Sequence, residues 1–127
     1  MKKSNQELLE LAQKARERAY APYSSFFVGA ALLCSDGSVY TGCNIENASF
    51  TPTCCAERVA IFSAVADGKR EFDAIAIVGG RDGCEEPCYP CGVCRQVMRE
   101  FCSDDFKIIT TDGESSLGEL LPKSFEF

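Results

Sequence analysis

The chain reads as an α/β protein, a three-layer α/β/α sandwich built on one mixed sheet. Three observations predict this. Helical and extended patterns alternate in the order α-β-β-α-β-α-β-α, which places a sheet between helices on both faces. The length, 127 residues, suits a single domain spanning 1–127, with one core and room for one site. Hydrophobic residues at 46% and charged residues at 25% are ordinary globular values and argue against disorder, collagen-like repeats and coiled coils.

Each element has its own signal. Ser4 and Glu7 form an S-x-x-E capping box, and Leu8, Leu11, Ala12, Ala15 and Ala19 recur at helical spacing, so a first helix is expected over 5–18. Beyond Pro22, the apolar run 27–34 meets 39–43 across Ser35-Asp36-Gly37-Ser38, and Asp-Gly between such runs signals an antiparallel hairpin. A polar loop, 44–53, leads into a helix over 55–66 with Val59, Ala60, Phe62 and Val65 as its apolar members, ended by Asp67-Gly68. Residues 72–78 carry a buried-strand pattern closed by Gly79-Gly80. Residues 91–101 are helical with Val93, Val97 and Met98 inside, 106–111 is a further strand, and Ser115 or Ser116 caps a short helix through Leu121.

Charge and hydropathy narrow the partners. A formal charge of -6 and a pI near 4.7 repel phosphate backbones, so no nucleic acid is expected and a small or neutral ligand suits the chain better. No run approaches the roughly 20 apolar residues that span a bilayer, and the start MKKSNQELLE lacks the apolar core of a signal peptide. A cytoplasmic protein with no membrane partner is expected.

Nine cysteines are many for this length, and the number is odd; in a reducing compartment, clustered cysteines point to metal or chemistry rather than disulfides. The chain has no histidine, which removes Ser-His and Cys-His hydrolases and any imidazole zinc site. Cys55-Ala56-Glu57 and Pro90-Cys91-Gly92-Val93-Cys94 each open a predicted helix, where unpaired N–H groups and the positive dipole end favour thiolates. Three thiolates from two such ends can hold one Zn²⁺ with a position left open, as in a catalytic site. Spacing alone leaves Cys54 and Cys88 as alternatives, because Cys54 adjoins Cys55 and Cys88 forms a second C-x-x-C with Cys91. Taking Cys54 displaces Glu57 from its two-residue offset, and taking Cys88 puts a ligand ahead of the helix start. Glu57 is placed to move protons without binding the ion, the pattern of zinc deaminases, whose [H or C]-x-E and P-C-x-x-C elements match these segments.

YAPYSSFFVGAALLC at 20–34, GCNIENASFTPTCCAER at 42–58, PCGVCRQ at 90–96 and ELLPKSF near the end together resemble the small homotetrameric zinc-dependent cytidine deaminases. The resemblance covers nearly the whole chain. It implies hydrolytic deamination of cytidine and deoxycytidine to uridine and deoxyuridine, with release of ammonia, in pyrimidine salvage. It implies Cys55, Cys91 and Cys94 as ligands of one zinc per chain and Glu57 as proton shuttle. It further implies Asn44 and Glu46 on the ribose hydroxyls, Phe26 against the pyrimidine, the Ala56 backbone on its polar edge, and Phe125 closing a neighbouring subunit's site in a shared-site homotetramer. The sequence between Thr111 and Leu117 is shorter than in the family, which puts the family's fifth strand in doubt, and the end at Phe127 weakens the match at Phe125.

Arg58 enters by counting charge. Three thiolates and one Zn²⁺ sum to about -1, and a guanidinium three residues past Cys55 is close enough to donate to its sulfur. Competing readings are a structural zinc module closed by a fourth cysteine and a Cys91/Cys94 dithiol redox protein, neither of which uses Glu57, Asn44 or Glu46. Within the enzyme class the runner-up is a deaminase of a cytosine-containing antibiotic such as blasticidin S.

Overall fold

The structure, a computed structural model, describes residues 2–127. Helix α1 (Asn5–Arg16) starts as its capping box requires: the Glu7 amide donates to Ser4 Oγ at 3.2 Å and the Ser4 amide donates to Glu7 Oε1 at 2.8 Å. It ends two residues short of the expected 18. There Arg16 turns its guanidinium onto the carbonyls of Phe27 at 2.8 Å, Arg81 at 3.0 Å and Cys84, and the chain leaves to bridge Tyr20 to Ile45.

Strands β1 (Phe26–Cys34) and β2 (Val39–Cys43) form the expected antiparallel hairpin. Helix α2 (Ala56–Ala66) follows with Cys55 as its N-cap. Strand β3 (Phe72–Arg81) runs antiparallel to β1 and passes the expected stop at Val78, because Gly79 and Gly80 pair with Val28 and Phe27 instead of turning away. Helix α3 (Gly92–Phe101) has Cys91 as N-cap, and β4 (Lys107–Thr110) lies parallel to β3.

The doubt over a fifth strand is corrected: β5 (Gly113–Ser116) pairs antiparallel with β4 from Thr110↔Gly113 to Lys107↔Ser116. Its residues, Gly-Glu-Ser-Ser, carry no apolar alternation, so pairing at a sheet edge, not propensity, makes the strand. Ser116 then caps the short α4 (Leu117–Leu120), with the Glu119 amide donating to its hydroxyl at 3.2 Å.

The sheet order is β2-β1-β3-β4-β5, one mixed sheet as expected. Alternate side chains build its two cores. Ala31, Leu33, Ala74, Ala76, Val78 and Ile109 face Leu8 and Ala12 of α1. Ala30, Leu32, Ile75, Ile77 and Ile108 face Ala56, Ala60 and Ile61 of α2, Cys94 and Met98 of α3, and Leu117. Burial at this level is worth about 1.5–3 kcal/mol for each large apolar side chain. Two residues expected inside their helices are not: Phe62 is 46% exposed and Val93 58% exposed. Both lie on faces that the single chain leaves uncovered.

Two close approaches set the helices on the sheet. A Cβ at Gly29 would lie 2.0 Å from the Ala12 carbonyl oxygen, and one at Gly42 would lie 2.5 Å from the Ala56 carbonyl oxygen and 2.6 Å from the Ala60 nitrogen. The first turn of α2 therefore rests directly on β2.

Candidate active site and metal centre

Cys55 and Cys91 occupy the same local position, each an extended N-cap residue at a helix start, with φ/ψ of -71°/155° and -70°/169°. Neither thiol caps its own helix, so both sulfurs are free to turn toward each other. Cys55 Sγ lies 3.8 Å from Cys91 Sγ, and Cys91 Sγ lies 3.6 Å from Cys94 Sγ. All three sulfurs fall within 4.8 Å of one another.

This spacing tests whether a zinc ion fits. Zinc–sulfur bonds of about 2.3 Å at tetrahedral angles require sulfurs about 3.8 Å apart, close to the spacing of the Cys55–Cys91 and Cys91–Cys94 pairs. Three thiols leave a fourth position open, and the donor set is the soft one that zinc accepts. Cys54 and Cys88 do not join the cluster. Cys54 is held by reciprocal backbone bonds to Ile45, each 2.9 Å, and the Cys88 sulfur packs against Gly79.

The electrostatics divide the trio. Hydrogen bonding from the Cys94 thiol, with help from Arg58 and Cys91, outweighs burial and holds the Cys55 thiol below its usual range. The neighbouring Cys55 thiolate and burial push Cys94 up. These contacts favour the thiolate form of the Cys55 sulfur. Arg58 Nη2 is 3.4 Å from that sulfur and 3.5 Å from the Thr53 carbonyl oxygen, in the position expected from charge counting.

Glu57 is 4% exposed, in the first turn of α2, and burial pushes its carboxyl up to about 7. A carboxyl that exchanges its proton near neutrality suits general acid-base work. Burial likewise raises the Cys88 thiol to about 11, leaving it little thiolate for chemistry.

Other residues singled out from the sequence already have partners in place. Asn44 donates from Nδ2 to the Phe26 carbonyl at 2.8 Å and accepts on Oδ1 from the Val28 amide at 2.9 Å. It clamps the start of β1 and keeps one N–H and one lone pair in reserve. Glu46 accepts from the Tyr23 amide at 2.9 Å, the Ser24 amide at 3.2 Å and the Ser24 hydroxyl, which hold its carboxyl below the usual range. It lines a cavity of about 340 Å³ with Tyr23, Ser24, Asn47, Phe50 and Thr53.

Phe26 is half-buried and packs on the core shared by α2 and α3, whereas Phe27 turns to the opposite face and lines a cavity beside Arg16. Ala56 is fully buried as the first residue of α2, whose backbone N–H belongs to the unpaired set at a helix start. Phe125 is 67% exposed, edge-to-face with Phe127 at 5.4 Å, and its carbonyl accepts from Gln96 Nε2 at 3.1 Å.

Sequence reasoning missed Ser24, which fixes Glu46, and Arg95, which donates to the Pro90 carbonyl at 2.7 Å and the Leu120 carbonyl at 2.7 Å. The Ser24–Glu46 and Arg95–Leu120 contacts join residues more than 20 positions apart, for which the local pattern holds no signal.

A mixed sheet that brings three thiols and a buried carboxyl to two adjacent helix starts defines the class of metal-dependent enzymes with one open coordination position. Residues 2–110 match the family model described as the cytidine and deoxycytidylate deaminase zinc-binding region. The chain belongs to that family. It is 48% identical to the cytidine deaminase of Sporosarcina psychrophila, over 94% of this chain and 90% of the relative, and 50% identical to that of Halalkalibacterium halodurans, over 94% and 92%. The crystal structure of cytidine deaminase from Burkholderia pseudomallei superimposes with a TM-score of 0.88 at 49% identity, covering 97% of this chain and all of that one. No helix among the described residues is long and apolar enough to cross a membrane.

Proposed function

We propose that this chain catalyses hydrolytic deamination of cytidine and deoxycytidine to uridine and deoxyuridine, releasing ammonia, as a step of pyrimidine salvage in the cytoplasm. The observation that carries this reading is the tetrahedral spacing of the Cys55, Cys91 and Cys94 sulfurs, 3.6–3.8 Å along the trio, beside the buried Glu57. Cys55, Cys91 and Cys94 hold one zinc ion per chain. Bound there, the ion supplies Lewis acidity that makes water nucleophilic near neutral pH.

The chain's own groups do the rest. As water adds at C4 of the pyrimidine, the Glu57 carboxylate takes one of its protons and passes it to ring N3; Glu57 then takes the proton of the new C4 hydroxyl and gives it to the amino group, which departs as ammonia as the C4 carbonyl forms. Its shift to about 7 supports both halves of that traffic. Arg58 offsets the excess negative charge of three thiolates by donating to Cys55, aided by the N-terminal dipoles of α2 and α3.

Asn44 and Glu46 direct their remaining hydrogen-bonding capacity to the ribose hydroxyls, Phe26 lies against the pyrimidine, and the Ala56 backbone meets its polar edge. Phe125, exposed in the single chain, closes the site of a neighbour in a homotetramer. Exposed Phe62 and Val93 on α2 and α3 are further support for such an assembly.

Turnover of purified protein on cytidine, deoxycytidine, cytosine, CMP and blasticidin S tests the reading. Cytidine and deoxycytidine should be the substrates. Preference for blasticidin S, or no turnover of any nucleoside, would overturn it.

A further inference from the structure

Cys91 is the exposed member of the thiol trio, and the segment leading into it has an unusual composition. Residues 87–90 read Pro-Cys-Tyr-Pro, and the two prolines have no N–H to donate. Among the described residues, no backbone–backbone hydrogen bond holds this strap; the preceding tie is the Glu86 amide on the Gly79 carbonyl at 3.0 Å. Side chains hold it instead. Cys88 packs on Gly79, Arg95 Nε donates to the Pro90 carbonyl at 2.7 Å, and the Tyr89 hydroxyl donates to Asp112 Oδ2.

Asp112 is itself fixed. It lies in the turn between β4 and β5, and its Oδ1 accepts from Thr110 Oγ1 at 2.5 Å, with Thr110 buried in β4. A buried strand residue thus orients a carboxylate, which holds a tyrosine two residues before Cys91.

We infer that Asp112, acting through the Tyr89 hydroxyl, is a positioning residue for the Cys91 thiol, keeping it at the spacing that a zinc ion requires. The inference rests on the zinc reading of the trio. Arg95 restrains the same strap from α3, so losing the Tyr89 tie loosens Cys91 without freeing it.

The test is zinc transfer from purified holoenzyme to a chromophoric chelator, with thermal unfolding followed in parallel. Tyr89→Phe and Asp112→Ala should each release zinc about five- to tenfold faster, the factor expected for one hydrogen bond to a charged acceptor at a half-exposed site. The double variant should be no faster than either single, because both remove one interaction. Asp112→Asn keeps an oxygen for Tyr89 and should stay within about twofold of the parent. Ser4→Ala, which breaks the α1 capping box far from the strap, should lower the unfolding temperature and leave release unchanged.

Unchanged release in Tyr89→Phe, additive effects in the double variant, or equal acceleration by Ser4→Ala would each overturn the tether. If Asp112→Ala does not fold, Tyr89→Phe against Ser4→Ala decides alone. A parent protein that binds no zinc overturns the metal reading itself, whereas a zinc-bound parent indifferent to Tyr89 overturns only the tether.

Discussion

At the scale of single residues, the proposed chemistry rests on one buried carboxyl, Glu57, and one guanidinium, Arg58. Glu57 sits where burial favours its protonated form, beside a thiolate that disfavours a second negative charge. Glu57→Gln keeps the volume and neutrality of that form but cannot exchange a proton. It should retain fold and zinc while slowing turnover by at least ~10²-fold, read from steady-state kinetics alongside metal analysis. Near-normal turnover would remove Glu57 from the proposed role. Arg58→Gln loses the 3.4 Å donation to Cys55 while leaving the three sulfurs in place. Zinc content should hold and turnover should fall by roughly tenfold, the scale of one charge-assisted hydrogen bond. Unchanged turnover would mean that the helix dipoles compensate alone.

At the scale of elements, the site is a junction of two helix starts on one sheet, and its precision depends on how closely each helix can approach. Gly42→Ala would thrust a methyl group into the backbone of the first turn of α2. That turn carries Glu57 and begins at Cys55, so the substitution should cost about 1–3 kcal/mol of stability and weaken zinc binding as well. Gly29→Ala should destabilise comparably through α1 while sparing zinc, and equal zinc loss in the two variants would contradict this division. A zinc ion held by Cys55 at the start of α2 and by Cys91 and Cys94 at the start of α3 would also cross-link elements distant in sequence. Chelation should lower the unfolding temperature by several degrees, by the linkage between ligand binding and folding. Cys91→Ala or Cys94→Ala should match the chelated protein, whereas Cys88→Ala should keep its zinc.

Over the whole molecule, the single chain exposes the large apolar or aromatic side chains of Tyr20, Tyr23, Ile45, Phe50, Phe62, Val93 and Phe125. Assembly into a homotetramer would cover them and bring Phe125 to a neighbour's substrate. Sedimentation should give a tetramer at assay concentration. Phe125→Ala should raise KM by about tenfold with zinc content unchanged, as loss of an aromatic contact requires. A fully active monomer would exclude a shared site.

The candidate site is legible in residues that lie close together along the chain. The capping box at Ser4, the Asp-Gly hairpin, the two-residue offset from Cys55 to Glu57, the three-residue offset from Cys91 to Cys94 and the reach of Arg58 to Cys55 are all set within one helical turn or one hairpin. Backbone geometry fixes such distances wherever the segment lies. What needed the tertiary structure joins residues far apart. The fifth strand exists because β4 offers an edge, β3 runs on because Gly79 and Gly80 find partners in β1, and Cys54 and Cys88 fall outside the trio because Ile45 and Gly79 hold them elsewhere. Asn44 and Glu46 are clamped by Phe26, Val28 and Ser24, and the strap before Cys91 is held from a turn more than 20 residues away. Local spacing is a property of the chain's covalent geometry, whereas these contacts come into being only when the sheet assembles, so they leave no periodicity in the sequence.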